Sequence, residues 1–312
     1  MKISEIEIIN RYFQSHLSRS PHTILGIGDD AAILEIPADQ QLVVTIDTLN
    51  EGVHFFSSMD AEDLGYKSLA VSLSDIAAMG ATPQNVLLSL SLPLADENWI
   101  KAFAKGFFAL ADQYAVDLVG GDTTRGPLSI TTVLNGFIAR GKALYRNRAQ
   151  AGDLIYVTGT LGDAGRALDL LKQQLMPDSA ILSRLNRPIP RVEVGLKLRE
   201  ISRCAMDISD GLVLDLTRLC LASGVGAKIY ANQLPFSASL QKLSLLESWQ
   251  YALTAGDDYE LLFTLPERYP EKEIAGVKIT QIGEIIQGSG VQVLDENSNI
   301  IKLKKIGFDH FA

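Results

Sequence analysis

Many acidic residues of this chain stand beside glycines or inside apolar runs, with few basic residues among them. They occur in six segments: Gly28-Asp29-Asp30, Asp47, Asp75, Gly121-Asp122, Asp207-Ile208-Ser209-Asp210-Gly211 and Gly256-Asp257-Asp258-Tyr259-Glu260. Carboxylates that converge repel one another by about 4 kcal/mol at roughly 4 Å and an effective dielectric constant of about 20. Oxygen ligands without His or Cys suit Mg²⁺, which usually keeps several water ligands and is bound by both carboxylates and substrate phosphates. The pattern therefore predicts a magnesium site, with ordinary Gly-Asp turns as the alternative.

Asp75 is the clearest single case. It lies in a predicted helix, residues 63–79, whose neighbouring side chains are almost all apolar. An isolated carboxylate there would cost several kcal/mol unless it were paired or bound to a metal. Lys67 is two helical turns away and makes a poor direct partner. Taken alone, an ion pair from elsewhere in the fold and a metal ligand are equally good interpretations of Asp75.

Glycines supply a second part of the pattern. Gly120-Gly121, Gly159, Gly162 and Gly256 allow backbone N–H groups to approach an anion closely. Acids, a metal and glycine turns together are the parts of a phosphoryl-transfer site. The sequence nevertheless lacks a G-x-x-x-x-G-K-[ST] loop, a kinase H-R-D and D-F-G pair and a G-x-S-x-G elbow. We therefore expect phosphoryl transfer by a protein whose fold differs from those of the P-loop enzymes and the protein kinases.

Strands and helices alternate along the 312 residues, and at about 150 residues per domain the length favours two domains, with one large α/β domain as the alternative. Strands are predicted at 42–49, 86–92, 116–119, 130–139, 154–158, 228–231, 259–265 and 277–285, with a hairpin at 291–303, and residues 205–208 lead into a helix. Helices are predicted at 1–13, 63–79, 98–114, 163–174 and 211–223. A polar, basic stretch at 141–152 separates the halves, so we expect domains at residues 1–140 and 150–312. The predicted class is α/β or α+β.

Composition excludes several classes of function. The formal net charge of −9 argues against a nucleic-acid binder and against docking on an anionic membrane. Two cysteines, Cys204 and Cys220, form neither a disulfide framework nor a zinc site, which favours a reducing cytoplasm. The uncharged run 76–95 approaches the ~20 residues that span a bilayer. Because glycine and prolines interrupt this run, we expect a soluble protein.

Several ordered motifs resemble those of the thiamine-monophosphate kinase family, from about residue 26 to the C-terminus. They are Gly28-Asp29-Asp30-Ala31-Ala32, Thr45-Ile46-Asp47-Thr48 with His54, the segments 74–81, 120–126, 207–212 and 256–261, and the C-terminal Gly307-Phe308-Asp309-His310-Phe311. The resemblance implies a two-domain fold like that of aminoimidazole-ribonucleotide synthetase, with the N-terminal domains of two subunits paired in a homodimer. It also implies the reaction of ATP with thiamine phosphate to give ADP and thiamine diphosphate.

The resemblance further implies roles for individual residues. The implied ligands of several Mg²⁺ ions are Asp30, Thr45, Ile46, Asp47, Asp75, Asp122, Asp207 and Asp210. The implied ATP contacts are Tyr114, Gly121, Asp122, Arg146 and Ser209. The implied thiamine-phosphate contacts are His54, Asp257 and Phe308. No residue is implied as a catalytic acid, base or nucleophile, because the transfer would be metal-assisted and in line.

Three residues depart from the family pattern. Ile46 stands where Thr is common, so only its backbone carbonyl could be a ligand. Asp257 replaces a common Glu, and Phe308 replaces Tyr or Trp, which keeps an aromatic face but no polar group.

Other interpretations remain open at this stage. A selenophosphate or aminoimidazole-ribonucleotide synthetase would share the fold, although no cysteine precedes Cys204. A non-catalytic nucleotide or thiamine-phosphate sensor would have no need of a full set of metal ligands.

Overall fold

The computed structural model describes residues 3–14, 16 and 20–311. The chain forms two compact units. Unit 1 comprises Met1–Ile76 and Ala81–Gly141, and unit 2 comprises Ala77–Gly80 and Lys142–Ala312.

Unit 1 contains a four-stranded sheet, a separate pair of short strands, and helices. The strands of the unit are β1 (Thr23–Leu25), β2 (Ile33–Leu34), β3 (Gln40–Asn50), β4 (Thr82–Leu92), β5 (Asp117–Arg125) and β6 (Ser129–Ala139). Its helices are α1 (Glu5–Ile8), α2 (Ala61–Ala78, whose last two residues belong to unit 2) and α3 (Glu97–Gln113). The sheet order is β3-β6-β4-β5, with β4 and β5 parallel and the other pairs antiparallel, while β1 and β2 pair separately.

Two glycines let helices α2 and α3 cross closely. A Cβ atom on Gly65 would lie 2.0 Å from the carbonyl oxygen of Phe103, and one on Gly106 would lie 1.8 Å from that of Glu62. Such distances exclude any side chain at either position. At this crossing α3 packs against α2 with its apolar stripe, which includes Phe103 and Phe107, both fully buried.

Unit 2 is built on a larger mixed sheet. Its strands are β7 (Leu154–Thr158), β8 (Cys204–Asp207), β9 (Gly226–Tyr230), β10 (Leu261–Leu265), β11 (Glu273–Ile274), β12 (Val277–Ile286) and β13 (Gly290–Leu294). Its helices are α4 (Asp163–Lys172), α5 (Ser179–Asn186), α6 (Val192–Ile201), α7 (Leu212–Ser223) and α8 (Leu245–Thr254). The sheet order is β13-β9-β12-β7-β10-β8, and β11 pairs with β12.

Two strands of unit 2 are buried along their whole length. Every residue of β8 and of β10 is buried, and the two strands pair antiparallel with Leu261 opposite Asp207. This register places the end of β8 beside the segment that leads into β10.

Most predicted elements are confirmed, and three differ. Strand β5 does not stop before Gly120-Gly121-Asp122 but continues through it to Arg125. The predicted hairpin at 291–303 has one strand, β13, followed only by a bridge between Leu294 and Ile300. The predicted N-terminal helix is split into α1 and a π-helical turn at Ile9–Phe13, and residues 1 and 2 lie outside the described residues. None of the described helices has the length and apolar character needed to cross a membrane.

Candidate active site

Strand β3 and helix α2 bring two of the predicted carboxylates together in unit 1. Thr45 and Asp47 alternate with Ile46 along the strand, so both project towards α2. The Thr45 hydroxyl donates a hydrogen bond to Asp75, and the Ser72 hydroxyl donates one to Oδ2 of Asp47 at 2.8 Å. Ser72 and Asp75 are three residues apart and share a helical face. The strand alternation and the helical spacing thus place Asp47 and Asp75 in one site.

The environment of Asp47 makes its ionisation less favourable than that of an ordinary aspartate. Burial, and then the negative charge of Asp75, raise the pKa of Asp47 to about 6, while the Ser72 hydrogen bond opposes the shift. Two acids that repel each other at a partly buried position are electrostatically unfavourable by themselves. A divalent cation would remove this repulsion, so the donor set of Thr45, Asp47 and Asp75 fits a magnesium ion.

The predicted ligands do not form one complete cage. Within residues 3–14, 16 and 20–311, no three His, Cys, Asp or Glu side chains converge as a ready-made metal site. Two carboxylates and a hydroxyl suffice for Mg²⁺ only if waters and substrate phosphates supply its other ligands. The arrangement is therefore suited to a metal that arrives with a phosphorylated substrate.

A second group of predicted residues lines a cavity of about 700 Å³ in unit 1. Asp30, Gly121 and Asp122 contribute to its wall, together with apolar residues that include Phe13 and Leu118. Gly121 has φ +152°, and a Cβ atom on it would lie 1.8 Å from the carbonyl oxygen of Leu88. The absence of a side chain therefore lets β5 approach β4 where the strand borders the cavity.

Three further predicted residues of unit 1 have different placements. Ile46 points away from Asp47 and Asp75, and its side chain is 64% exposed. The Nδ1 atom of His54 accepts a hydrogen bond from the backbone N–H of Asn50 at 3.0 Å, which fixes the imidazole just after β3. Tyr114 is the C-cap of α3. Only the backbone of Ile46 remains available for the role predicted for it.

Unit 2 places five of the other predicted residues, Asp207, Ser209, Asp210, Asp257 and Phe308, around the connection between β8 and α7. Asp207 ends β8, and the connection from Ser209 to Gly211 leads into α7. The segment before β10 runs alongside it: the N–H of Asp257 donates to the carbonyl of Ser209 at 2.8 Å, and the N–H of Tyr259 donates to that of Ile208 at 2.8 Å. The structure thus places Asp257 next to Ser209, as one polar site would require.

The backbone of this second segment is strained. Asp257 has φ +66° and Tyr259 has φ +49°, a conformation that costs non-glycine residues about 1–2 kcal/mol each. The wholly buried Glu260 anchors the segment, since it accepts hydrogen bonds from Thr158, Arg184 and Arg191. Strain held by a buried anchor is typical of functional sites.

The C-terminal segment is attached to the same connection. The N–H of Phe308 donates to the carbonyl of Asp210 at 2.9 Å, and a Cβ atom on Gly307 would lie 2.5 Å from Cβ of Leu214. The ring of Phe308 meets that of His310 edge-on at 4.8 Å, and the Phe308 side chain is 38% exposed. The ring is therefore held at the surface beside Asp210, with Nζ of Lys305 5.7 Å from its centroid and part of its area exposed for stacking.

Arg146, also in unit 2, is exposed, and its backbone carbonyl accepts a hydrogen bond from Ser223 at 3.0 Å. Its neighbour Arg148 lies over the Tyr145 ring, 4.1 Å from the centroid. Both arginines are exposed, so neither guanidinium group is buried.

Sequence reasoning missed two residues that support these groups. Ser72 holds Asp47, and Asp215 of α7 accepts hydrogen bonds from the backbone of the Ser209–Gly211 connection. Asp215 follows Gly211-Leu212-Val213-Leu214, so it is a carboxylate inside an apolar run, as Asp75 is. The signal that singled out Asp75 would also have found Asp215.

A buried acid beside this site gives unit 2 a distinctive pH dependence. Burial raises the pKa of Asp258 well above its ordinary value, although the N–H of Gly162 donates to both of its oxygens. The folded protein therefore binds this proton more tightly than the unfolded chain does. The resulting stability is complete below the unfolded pKa, about 4, and is lost as the pH rises through the folded value.

The variant Asp258→Asn mimics the protonated acid at all pH values. We expect its unfolding free energy, measured by urea titration, to increase relative to that of the wild type as the pH rises from about 4 through the raised pKa of Asp258. Asp178→Asn is the matched control with the opposite sign, because hydrogen bonds from Ile181 N–H and then Ser239 lower the pKa of Asp178. A pH-independent difference between Asp258→Asn and wild type would contradict this expectation.

Two family models match the chain. "AIR synthase related protein, N-terminal domain" covers residues 28–138, and "AIR synthase related protein, C-terminal domain" covers residues 150–296. Together they span most of both units.

Individual relatives match over nearly the full length. The chain is 42% identical over 323 residues to thiamine-monophosphate kinase of Escherichia coli, an alignment with 100% of this chain and 99% of that protein. Thiamine-monophosphate kinase from Stenotrophomonas maltophilia has a crystal structure that matches with 45% identity and a TM-score of 0.86, covering 96% of this chain and 99% of that one. The structure of AaThiL complexed with AMPPCP and TMP matches with 32% identity and a TM-score of 0.78, and the match covers 98% of this chain and 97% of that one.

Proposed function

The chain belongs to the thiamine-monophosphate kinase family of the AIR synthase related proteins, and we propose that it works with Mg²⁺ held by its acidic residues. It has the two-domain fold of that family, and its activity is that of the family: ATP and thiamine monophosphate give ADP and thiamine diphosphate. The observation that carries this function is the 42% identity to a thiamine-monophosphate kinase over all of this chain.

The reaction requires neutralisation of the negative charges of the two substrates more than it requires a general base. The acceptor is a phosphate monoester with a second pKa of about 6, so it is already mostly dianionic at neutral pH. Magnesium, when bound, would neutralise the charge that builds up between two polyanions. Thr45, Asp47 and Asp75 would hold it in unit 1, and Asp30 and Asp122 line the cavity of the same unit.

The remaining residues would bind and orient the two substrates. In unit 2, the predicted ligands Asp207 and Asp210 flank Ser209, and Asp257 is hydrogen-bonded to Ser209 through its backbone. Gly121, Tyr114, Arg146 and Ser209 would contact ATP. His54, Asp257 and Phe308 would contact thiamine phosphate, and in-line alignment of the two phosphates would lower the barrier further.

Phe308→Ala should raise the KM for thiamine monophosphate by about 10-fold and leave that for ATP within about 2-fold. The stacking face accounts for the difference, since an aromatic pair contributes about 0.5–1.5 kcal/mol beyond the area it buries. Phe311→Ala is the matched control because Phe311, three residues later, is fully exposed. Steady-state kinetics with each substrate varied would test this, and equal effects on both KM values would place Phe308 outside the acceptor site.

A homodimer through unit 1 forms part of the proposal. Leu42, Val44 and Ile46 lie on one face of β3 and are all exposed, which leaves an apolar stripe on the sheet. Pairing of two such sheets would bury the stripe. Sedimentation equilibrium would give twice the chain mass, and Val44→Lys would give the mass of one chain.

The cysteines support a cytoplasmic location. Cys204 and Cys220 are free thiols, both buried in unit 2. Burial raises the pKa of each thiol to about 11, so both are unreactive and suited to a reducing compartment.

A direct assay tests the proposed function. The protein is mixed with ATP, Mg²⁺ and thiamine monophosphate, and thiamine diphosphate is separated by chromatography, with EDTA as control. Magnesium-dependent formation of thiamine diphosphate is expected. Tight ATP binding without product would instead indicate a sensor.

A further inference from the structure

In the connection from Ser209 to Gly211, here called the 209–211 loop, one side chain accepts hydrogen bonds from all three backbone N–H groups. The Oδ2 atom of Asp215 accepts the backbone N–H groups of Ser209, Asp210 and Gly211 at 3.1, 3.0 and 3.1 Å. Its Oδ1 atom accepts a hydrogen bond from Arg218 at 2.9 Å. Because both oxygens are occupied by the protein, Asp215 is placed as a structural acceptor and not as a metal ligand.

The three amides would otherwise have no acceptor within α7. Ser209 and Asp210 precede α7 and Gly211 is its N-cap, so the N–H groups of all three lie outside the hydrogen bonds of the helix and need an acceptor from elsewhere. Three N–H groups that point at one spot form a concave site for an anion. Asp215, which is fully buried, fills that site with a carboxylate of the chain itself.

The opposite edge of the loop holds the predicted acceptor-binding residues. The Ser209 carbonyl accepts the N–H of Asp257, and the Asp210 carbonyl accepts that of Phe308. Arg218 also donates to the side chain of Asp210, which ties that carboxylate to the same network. The position of the loop thus sets the positions of Ser209, Asp210, Asp257 and Phe308 together.

We infer that Asp215 is a positioning residue for the kinase reaction, fixing the 209–211 loop so that its amides face inwards and its carbonyls hold the acceptor site. The effect of Asp215 on catalysis rests on the proposed function, whereas its effect on the conformation of the 209–211 loop does not. Two measurements therefore test the two effects separately.

The first measurement is residue-resolved hydrogen–deuterium exchange of the protein without nucleotide or magnesium. In Asp215→Ala, the amides of residues 209–211 should exchange at least 10-fold faster than in wild type, while those of β8 remain unchanged. Asp215→Asn keeps one acceptor oxygen, so its exchange should fall between the two, at least 3-fold above wild type. Asp178→Ala is the matched control, because Asp178 also accepts two backbone N–H groups at a helix start, that of α5.

The second measurement is binding of thiamine monophosphate by calorimetry, together with its KM. Asp215→Ala should weaken binding and raise this KM at least 10-fold, Asp215→Asn should restore part of both, and Asp178→Ala should change neither. Unchanged exchange at 209–211 in Asp215→Ala overturns the inference, as does faster exchange with unchanged binding. If Asp215→Ala does not fold, Asp215→Asn decides in the same way. An inactive wild type with fast loop exchange in the variants would contradict only the proposed function.

Discussion

Asp75→Asn is expected to lower kcat/KM for thiamine diphosphate formation by about 1,000-fold or more, which corresponds to about 4 kcal/mol of transition-state stabilisation. The substitution removes one of two adjacent negative charges at nearly constant volume, and the amide oxygen can still accept the Thr45 hydroxyl. With one charge lost, magnesium binding and neutralisation of the phosphates both weaken. Steady-state kinetics over a magnesium titration would measure the loss.

The same substitution should not harm folding. Because Asp75 raises the pKa of Asp47, its replacement relieves a repulsion, and the magnesium-free variant should melt at the wild-type temperature or above it. Asp96→Asn is the control in the same unit, since Asp96 is the exposed N-cap of α3 and Asn caps equally well. Near-normal turnover in Asp75→Asn, or a marked loss of stability, would show that Asp75 is a structural residue.

Gly121→Ala should destabilise unit 1 by about 3 kcal/mol and raise the KM for ATP more than 10-fold. The added Cβ would meet the Leu88 carbonyl at 1.8 Å, so β5 must move away from β4 and from the cavity it lines. Overpacking of this kind costs about 1–3 kcal/mol, and the positive φ of Gly121 adds strain.

A matched glycine separates the two contributions. Gly141 has φ +79°, but a Cβ atom added to it would meet nothing within 4 Å, so Gly141→Ala carries strain alone and should cost about 1 kcal/mol. Urea unfolding followed by Trp99 fluorescence in a Trp249→Phe background would report on unit 1, since Trp99 lies in α3 and Trp249 in α8. Equal losses in the two variants would exclude the clash with Leu88.

The elements that sequence periodicity could predict were those with strong apolar patterns. Strand β3 was expected at 42–49 and is found at Gln40–Asn50, and α3 was expected at 98–114 and is found at Glu97–Gln113. Strand β5 was predicted too short because two successive glycines disfavour strands. Its pairing with β4 overrides that local preference, and Gly121 is required there by the contact with Leu88.

The candidate site shows a similar division. The position of Asp75 in an apolar helix predicted a compensated carboxylate, and the contact with Thr45 and the repulsion from Asp47 follow from the packing of α2 on β3. Neither could be derived from spacing, because the residues are far apart in the chain. The left-handed backbone conformation of Asp257 and Tyr259 could not be predicted from the sequence either, since neither residue is a glycine.

Direct, magnesium-dependent transfer can be followed in a rapid-quench single turnover with γ-³²P-labelled ATP, thiamine monophosphate and Mg²⁺. We expect the label to pass from ATP to thiamine diphosphate with no labelled protein at any time point, and EDTA to abolish the transfer. Label on an aspartyl side chain before it reaches the product would contradict direct transfer. Undiminished transfer in EDTA would contradict the magnesium site.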